Sequence, residues 1–436
     1  MSFKLSSICE IVMGQSPAGD SCNGNGNGTP LLNGPTEFGP AHPSPVQFTT
    51  DAKRKSQKGD LLFCVRGSTT GRMNWSNREY AIGRGLAAIR GVDGYPNIYV
   101  KAVIETKLPE LLLKATGSTF PNVSREMISS ISIPEITTKD AKSIASVLEP
   151  MDDRITLLRE TNSTLEAIAQ ALFKSWFVDF DPVRAKQEGR QPEGMDEATA
   201  ELFPDAFEES EFGLIPKGWT HISFGSLLSQ TIGGDWGGEV ADEINDTRVA
   251  IIRGTDIPDL QRSVGNRVPI RFTSQKKLAT RKLEDGDIVI EVSGGSKDQP
   301  TGRSLHVTKA LLDQFDCPVE PASFCRLMRP INKKIDSLLA QHMTYIYAQG
   351  KTWEYQNQST GIANFQTTYF LENEMVVNPT ETVLSAFSEI VQVLMGRTQT
   401  MQIQTLSNLR DTLLPRLISG QLRIADAQAE LEKAMV

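Results

Sequence analysis

The spacing of ten residues between positions 144 and 176 constrains this chain more than any other feature. Ile144, Leu148, Met151, Ile155, Leu158, Asn162, Leu165, Ala169, Leu172 and Trp176 recur at alternating intervals of four and three. A period of 3.5 sustained for more than four heptads predicts a long helix paired in a coiled coil, with Asn162 as a polar register-setter on the seam. No proline or glycine interrupts residues 151–181. The helix is therefore expected over 138–180, a length of roughly 60 Å at 1.5 Å per residue. "DFDPV" should end it, because Pro182 disfavours helical geometry at Asp181. The same end of the helix gathers Phe173, Trp176, Phe177 and Phe180 in a chain that is only 7% aromatic. Such a cluster either packs inside the molecule or anchors a partner subunit.

A second stripe begins at Leu384, Phe387, Val391, Leu394 and Met401. After a phase shift it continues through Leu406, Leu409, Leu413 and Leu417, with Gly420 as the expected stop. At an offset of 241, Leu165, Ile168, Leu172, Phe173 and Trp176 fall on Leu406, Leu409, Leu413, Leu414 and Leu417, which signals an internal repeat. Three further pairs agree. "QKGDLLFCVRGSTTGR" (57–72) parallels "LEDGDIVIEVSGGSKDQPTGR" (283–303), "PLLNGPTEF" (30–38) parallels "AIIRGTDIP" (250–258), and "GSTFPNVS" (117–124) parallels "QSTGIANFQ" (358–366). Each reads as a short apolar strand followed by a polar loop.

The chain thus divides into a globular unit 1–137, a central helix 138–180, an acidic connector 181–217, a second globular unit 218–377 and a C-terminal long helix 378–436. The fold class expected is α+β, with two α/β units separated by two long helices that pair as an antiparallel coiled coil in a pseudo-twofold repeat. Heads at the two ends of such a spacer would be held roughly 60 Å apart at 1.5 Å per residue.

The formal charge of −8 argues at first sight against a nucleic-acid partner, but its distribution matters more than its sum. Residues 1–137 carry 14 Lys/Arg against 11 Asp/Glu, residues 218–377 carry 17 against 19, and residues 179–217 carry 4 against 11. The excess sits in the connector, so basic patches on either unit stay possible. No apolar run approaches the ~20 residues of a membrane helix, and a cytoplasmic location without membrane contact is expected. Cys9, Cys22, Cys64, Cys317 and Cys325 form no CxxC pair, which points to free thiols rather than a metal site or disulfide framework.

Catalytic motifs are lacking. An adenine methyltransferase holds the flipped base with an Asn/Asp-Pro-Pro-aromatic loop; "DPVR" at 181 and "NPTE" at 378 lack both the second proline and the aromatic. "NGNGNG" (23–28) lacks the strand and helix of a cofactor loop, and "PTGRS" lacks the lysine of a phosphate loop. "VIETK" (103–107) with Asp93 has a faint nuclease-like layout, but the run "IYVKAVIE" explains it as half-buried strand. His42, His221, His306 and His342 show no ligand spacing. Neither a catalytic residue, a metal nor a cofactor is assigned.

The segments "NSTLEAIAQALFKSWFVDFDPVRAK" (162–186), "PEGMDEATAELFPDAFEESEFGLIPKGW" (192–219) and "LSNLRDTLLPRLISGQLRI" (406–424), together with the repeat layout, resemble the specificity subunits of Type I restriction-modification systems. The resemblance implies that each globular unit is a target recognition domain reading one half of a bipartite, asymmetric site in double-stranded DNA. It implies that the helices set the spacing and dock two copies of an adenine methyltransferase subunit, and that a motor-nuclease subunit completes the defence complex. S-adenosylmethionine, ATP and magnesium would belong to those partners. Phe173, Trp176, Phe177 and Phe180, with Leu413, Leu414 and Leu417, are candidates for the partner interface. A methylation-only system, or a scaffold joining two protein-binding modules, are the alternatives.

DNA reading needs side chains that reach base edges or phosphates from loops: Arg for guanine, Asn or Gln for adenine, hydroxyls for phosphate. "RGSTTGR" supplies Arg66, Ser68, Thr69, Thr70 and Arg72; "SGGSKDQPTGR" supplies Ser293, Ser296, Lys297, Gln299 and Arg303. Gln15, Ser16, Asn33 and Glu37, with Arg253 and Asp256, follow short apolar strands and form a second tier.

Overall fold

In the computed structural model, the 144–176 seam faces inward. It describes residues 2–39, 42–67, 69–115, 121–261, 268–295, 299–359, 362–399 and 402–435. Two compact units result, Met1–Glu160 with Thr405–Val436, and Thr161–Gln404. The long helix Thr138–Phe177 contributes residues to both. Ile144, Leu148, Met151 and Ile155 are buried in the first unit, and Asn162, Ala169 and Trp176 in the second. Asn162 has a partner on the facing helix, donating its Nδ2 to the carbonyl of Thr398 at 2.7 Å. Phe173, Trp176 and Phe177 meet Phe387, earlier in that facing helix. Within the second unit the two helices therefore run in opposite directions.

The helix stops at Phe177, not at residue 180, and proline is not the immediate cause. The amides of Val178 and Asp179 both turn back to the carbonyl of Lys174, at 3.0 and 2.8 Å, and Phe180 adopts a left-handed conformation with φ of 55°. Asp181 then opens a new helix, Asp181–Gln187, with Pro182 in its first turn, where a missing N–H costs nothing. The connector continues as a helix Glu197–Glu201 and a hairpin of Phe207–Ser210 with Gly213–Pro216. Val183, Phe203, Ile215 and Trp219 tie it into the core of the second unit.

The C-terminal segment departs further from expectation, since its described residues form three helices and not one: Glu381–Thr398, Gln402–Ile418 and Ile424–Met435. The phase shift in the leucine stripe marks the first break. There Gln399, 2% exposed, donates Nε2 to the carbonyl of His306 at 2.9 Å and offers its own carbonyl to Gln314 at 2.8 Å. The Gln399 carbonyl thus has a tertiary partner in place of a helical one, which offsets part of the cost of leaving the ladder. Met401 lies outside the described residues. Gly420, at φ of 73°, ends the second helix as expected, and the third adds Ala427 and Leu431 to the core of the first unit.

The aromatic cluster and its leucine counterparts are core residues, which corrects their assignment to a partner interface. Phe173, Trp176 and Phe177 are 2–3% exposed and Phe180 is 8% exposed. Trp176 stands edge-on to Phe203 at 4.8 Å, and Phe177 edge-on to Phe387 at 4.8 Å, which is the arrangement aromatic rings favour. Leu413, Leu414 and Leu417 are buried in the first unit.

Each unit repeats one topology. In the first, a four-stranded antiparallel sheet runs Cys9–Met13, Leu86–Gly91, Leu61–Cys64, Met73–Trp75. In the second, Leu228–Gly233, Cys325–Pro330, Ile288–Glu291 and Ser304–His306 follow the same order. Beside it, Thr29–Leu32 runs parallel to Tyr80–Ile82, as Thr247–Ile252 does to Val319–Pro321. A helix packs behind, Asn97–Lys114 and Lys333–Ala348 respectively. The first of these contains "IYVKAVIE", read above as strand. Tyr99 to Ile104 are all buried, so the run shows neither helical nor strand alternation, and burial decides its form.

Within the first unit, Asp152 joins three helices by accepting from Lys101 at 2.8 Å and Arg410 at 3.0 Å. Burial pushes its carboxyl up, but those two cations hold it below the usual range. No helix among the described residues is long and apolar enough to cross a membrane.

Candidate nucleic-acid interface

At one edge of the first unit, backbone hydrogen bonds gather five loops. Gly14 N donates to Leu86 O at 2.8 Å, Gln15 N to Ile82 O at 2.9 Å, Gly83 N to Leu32 O at 2.8 Å, Val65 N to Gly85 O at 2.9 Å and Val123 N to Val65 O at 2.9 Å. The loops can approach this closely because residues 83 and 85 are glycines. A Cβ at Gly83 would lie 2.5 Å from Asn33 Oδ1, and one at Gly85 2.4 Å from the Asn33 carbonyl.

Of the residues expected at this edge, Gln15, Asn33, Arg66 and Arg72 are exposed on it. Asn33 Nδ2 donates to Gln47 Oε1 at 3.0 Å. Others serve the loops themselves. Thr70 Oγ1 lies 2.8 Å from the Gly67 carbonyl and 2.9 Å from that of Pro121. Thr69 Oγ1 lies 3.7 Å from Cys64 Sγ, and Ser16 Oγ accepts from the Arg84 amide at 3.3 Å. Glu37 is half-buried, and burial raises its carboxyl. Ser68 lies outside the described residues. Sequence reasoning overlooked Arg84, which is exposed at the tip of the turn 83–85; an arginine between two glycines and two apolar strands is the signal that could have found it.

The second unit builds its edge with the same bonds. Gly234 N donates to Cys325 O at 3.0 Å, Asp235 N to Pro321 O at 2.9 Å, Ala322 N to Ile252 O at 2.8 Å, Val292 N to Phe324 O at 2.9 Å and Phe365 N to Val292 O at 2.8 Å. The correspondence is one to one, so Asn33 matches Arg253, Arg66 matches Ser293, and Arg84 matches Ser323. Cys64 N to Arg72 O and Glu291 N to Arg303 O, both at 2.8 Å, likewise match Arg72 with Arg303.

The side chains on this shared frame differ. Arg253 forks onto Asp256 at 2.9 and 2.7 Å, and Asp256 is buried, so this carboxylate orients its own loop rather than offering itself at the surface. Arg303 is half-buried beside Glu291 at 3.3 Å, and burial raises that carboxyl. Gln299 is exposed and donates to Tyr347 Oη at 3.3 Å. Ser293 pairs in a short strand with Asn364. Ser296 and Lys297 lie outside the described residues. The first edge therefore presents unburied Arg, Asn and Gln groups of the kind that reach guanine, adenine and phosphate. The second keeps its arginines engaged with carboxylates.

Residues 1–167 match the family described as Type I restriction modification DNA specificity domain. The chain is 25% identical over 431 residues to the Type I restriction enzyme HindI specificity subunit of Haemophilus influenzae, covering 85% of this chain and 88% of that one. It is 34% identical over 161 residues to a putative type I restriction enzyme MjaX specificity subunit of Methanocaldococcus jannaschii, covering 36% and 37%. The crystal structure of the Type I restriction-modification system S subunit from M. genitalium shares the fold, with a TM-score of 0.51, 14% identity and 96% of each chain covered. The chain is thus similar to the specificity subunits of Type I restriction-modification systems, through a matched domain at residues 1–167 and a relative aligned over most of its length.

Proposed function

We propose that this chain binds a bipartite, asymmetric site in double-stranded DNA, catalyses nothing itself, and directs adenine methylation and restriction by methyltransferase and motor-nuclease subunits in the cytoplasm. In this reading the target recognition domains span 1–137 and 218–377, and the helical segments within 138–180 and 378–436 link them and receive two methyltransferase copies. The observation that carries it is the shared backbone frame dressed with different side chains. A frame repeated bond for bond holds two loop sets alike, while unlike side chains suit unlike half-sites.

The test is direct. In the complex assembled with its partner subunits, Arg66→Ala and Arg84→Ala should each cost about 1–3 kcal/mol of cognate binding if the arginine reads a base, or lower the salt slope by about one if it meets a phosphate. Titration at three salt concentrations separates these results. Unchanged affinity and slope for both variants would remove the first edge from the DNA interface.

A further inference from the structure

The two edges differ most at one turn. In the first unit it reads Gly83-Arg84-Gly85; in the second, by the same hydrogen bonds, Ala322-Ser323-Phe324. Phe324 is 57% exposed, although a phenylalanine side chain leaves water readily when a core is within reach. The next loop repeats the contrast. Ser16 in the first unit corresponds to Trp236 in the second, and Trp236 is 43% exposed, with Arg271 over its ring at 5.9 Å. Val240 and Ile244 in the same loop are 75% and 74% exposed. The corresponding loop of the first unit, "GQSPAGDSCNGNGNG", carries no large apolar residue.

Resting on the reading of both edges as DNA-facing, we infer that Phe324, flanked by Trp236, determines specificity in the second unit by apolar contact with the 5-methyl group of a thymine in the major groove. Its place in the frame carries this assignment. Where the first unit offers Arg84 and Asn33, whose donors suit base edges in that groove, the second offers a ring and keeps Arg253 and Arg303 tied to Asp256 and Glu291. Among base-edge features, the thymine methyl is the one an apolar side chain can read. The two half-sites would then be distinguished by different chemistry, hydrogen bonding at one and methyl contact at the other.

Uracil substitution tests this without changing the protein. In the assembled complex, uracil is placed for each thymine of the bound sequence in turn. One position in one half-site should lose roughly fourfold in affinity, the worth of a buried methyl. Phe324→Ala should weaken binding about tenfold, leave the salt slope unchanged, and abolish the uracil effect at that position alone. Phe324→Leu should restore much of the binding. Arg84→Ala, as the control, should keep the uracil effect. Because Phe324 is largely exposed, its replacement should leave thermal stability unchanged. Equal uracil sensitivity in wild type and Phe324→Ala would overturn the inference while leaving the bipartite reading intact. Loss of subunit assembly in Phe324→Ala, with DNA binding of the remaining complex unaltered, would also overturn it and make the patch a protein contact. A wild-type complex that binds no bipartite sequence would overturn both.

Discussion

Trp176→Ala should destabilise the second unit by about 3–5 kcal/mol, the cost of emptying a large aromatic from a packed core. Trp176 is 2% exposed and is surrounded by Phe203, Phe177 and Phe387 at 4.8–6.2 Å. These rings belong to three segments, the central helix, the former connector and the helix Glu381–Thr398, so the loss should reach all of them. Denaturant unfolding of the chain before any partner is added would measure it. Were the cluster a docking surface, the free chain would unfold as wild type does and only assembly would suffer. A stability loss under 1 kcal/mol with assembly abolished would restore the interface assignment that burial removes.

Acid should weaken the second unit through Glu374. This side chain is fully buried, and accepts from His342 Nε2 at 2.8 Å, Lys351 Nζ at 2.7 Å and Tyr355 Oη at 2.5 Å. Burial alone would raise its carboxyl; hydrogen bonds from His342, Lys351 and Tyr355 outweigh it and hold the group at about 2. A carboxyl depressed in the folded state binds its proton more readily when unfolded. Its contribution is therefore complete above the ordinary value of 4.5 and is lost as pH falls toward about 2. The shift corresponds to about 3 kcal/mol. Glu374→Gln should lower stability by about that amount at neutral pH and flatten the stability profile between pH 4.5 and 2; a variant as acid-sensitive as wild type would show that other carboxylates dominate.

Much of this fold was legible because it rests on periodicity and local spacing. The heptad seam marked the buried face of the long helix, down to Asn162 as its polar member. The phase shift in the leucine stripe was visible too, although a single helix was expected to run through it and the break near Thr398 was not. The strand-and-loop parallels placed Arg72 opposite Arg303 and Asn33 opposite Arg253, as the hydrogen bonds do. What escaped depends on contacts that spacing does not encode. Tyr99–Ile104 is apolar but for Lys101, and such a run without clear alternation does not reveal whether it is helix or strand. Phe173 and Trp176 look alike in sequence whether they face a partner or the ring of Phe387. Asp256 is available for recognition in sequence and unavailable in the fold, because Arg253 lies three residues away and takes both of its oxygens. Arg84 was hidden for the opposite reason: a single residue in a short turn has no pattern, and only the convergence of five loops gives it a setting.

The most direct measurement is base-resolved adenine methylation of the host genome with this gene intact, deleted, and restored on a plasmid. The recognition reading predicts a bipartite motif with an unread spacer whose methylation disappears on deletion and returns on restoration. Methylation of the same sequences regardless of the gene would contradict it.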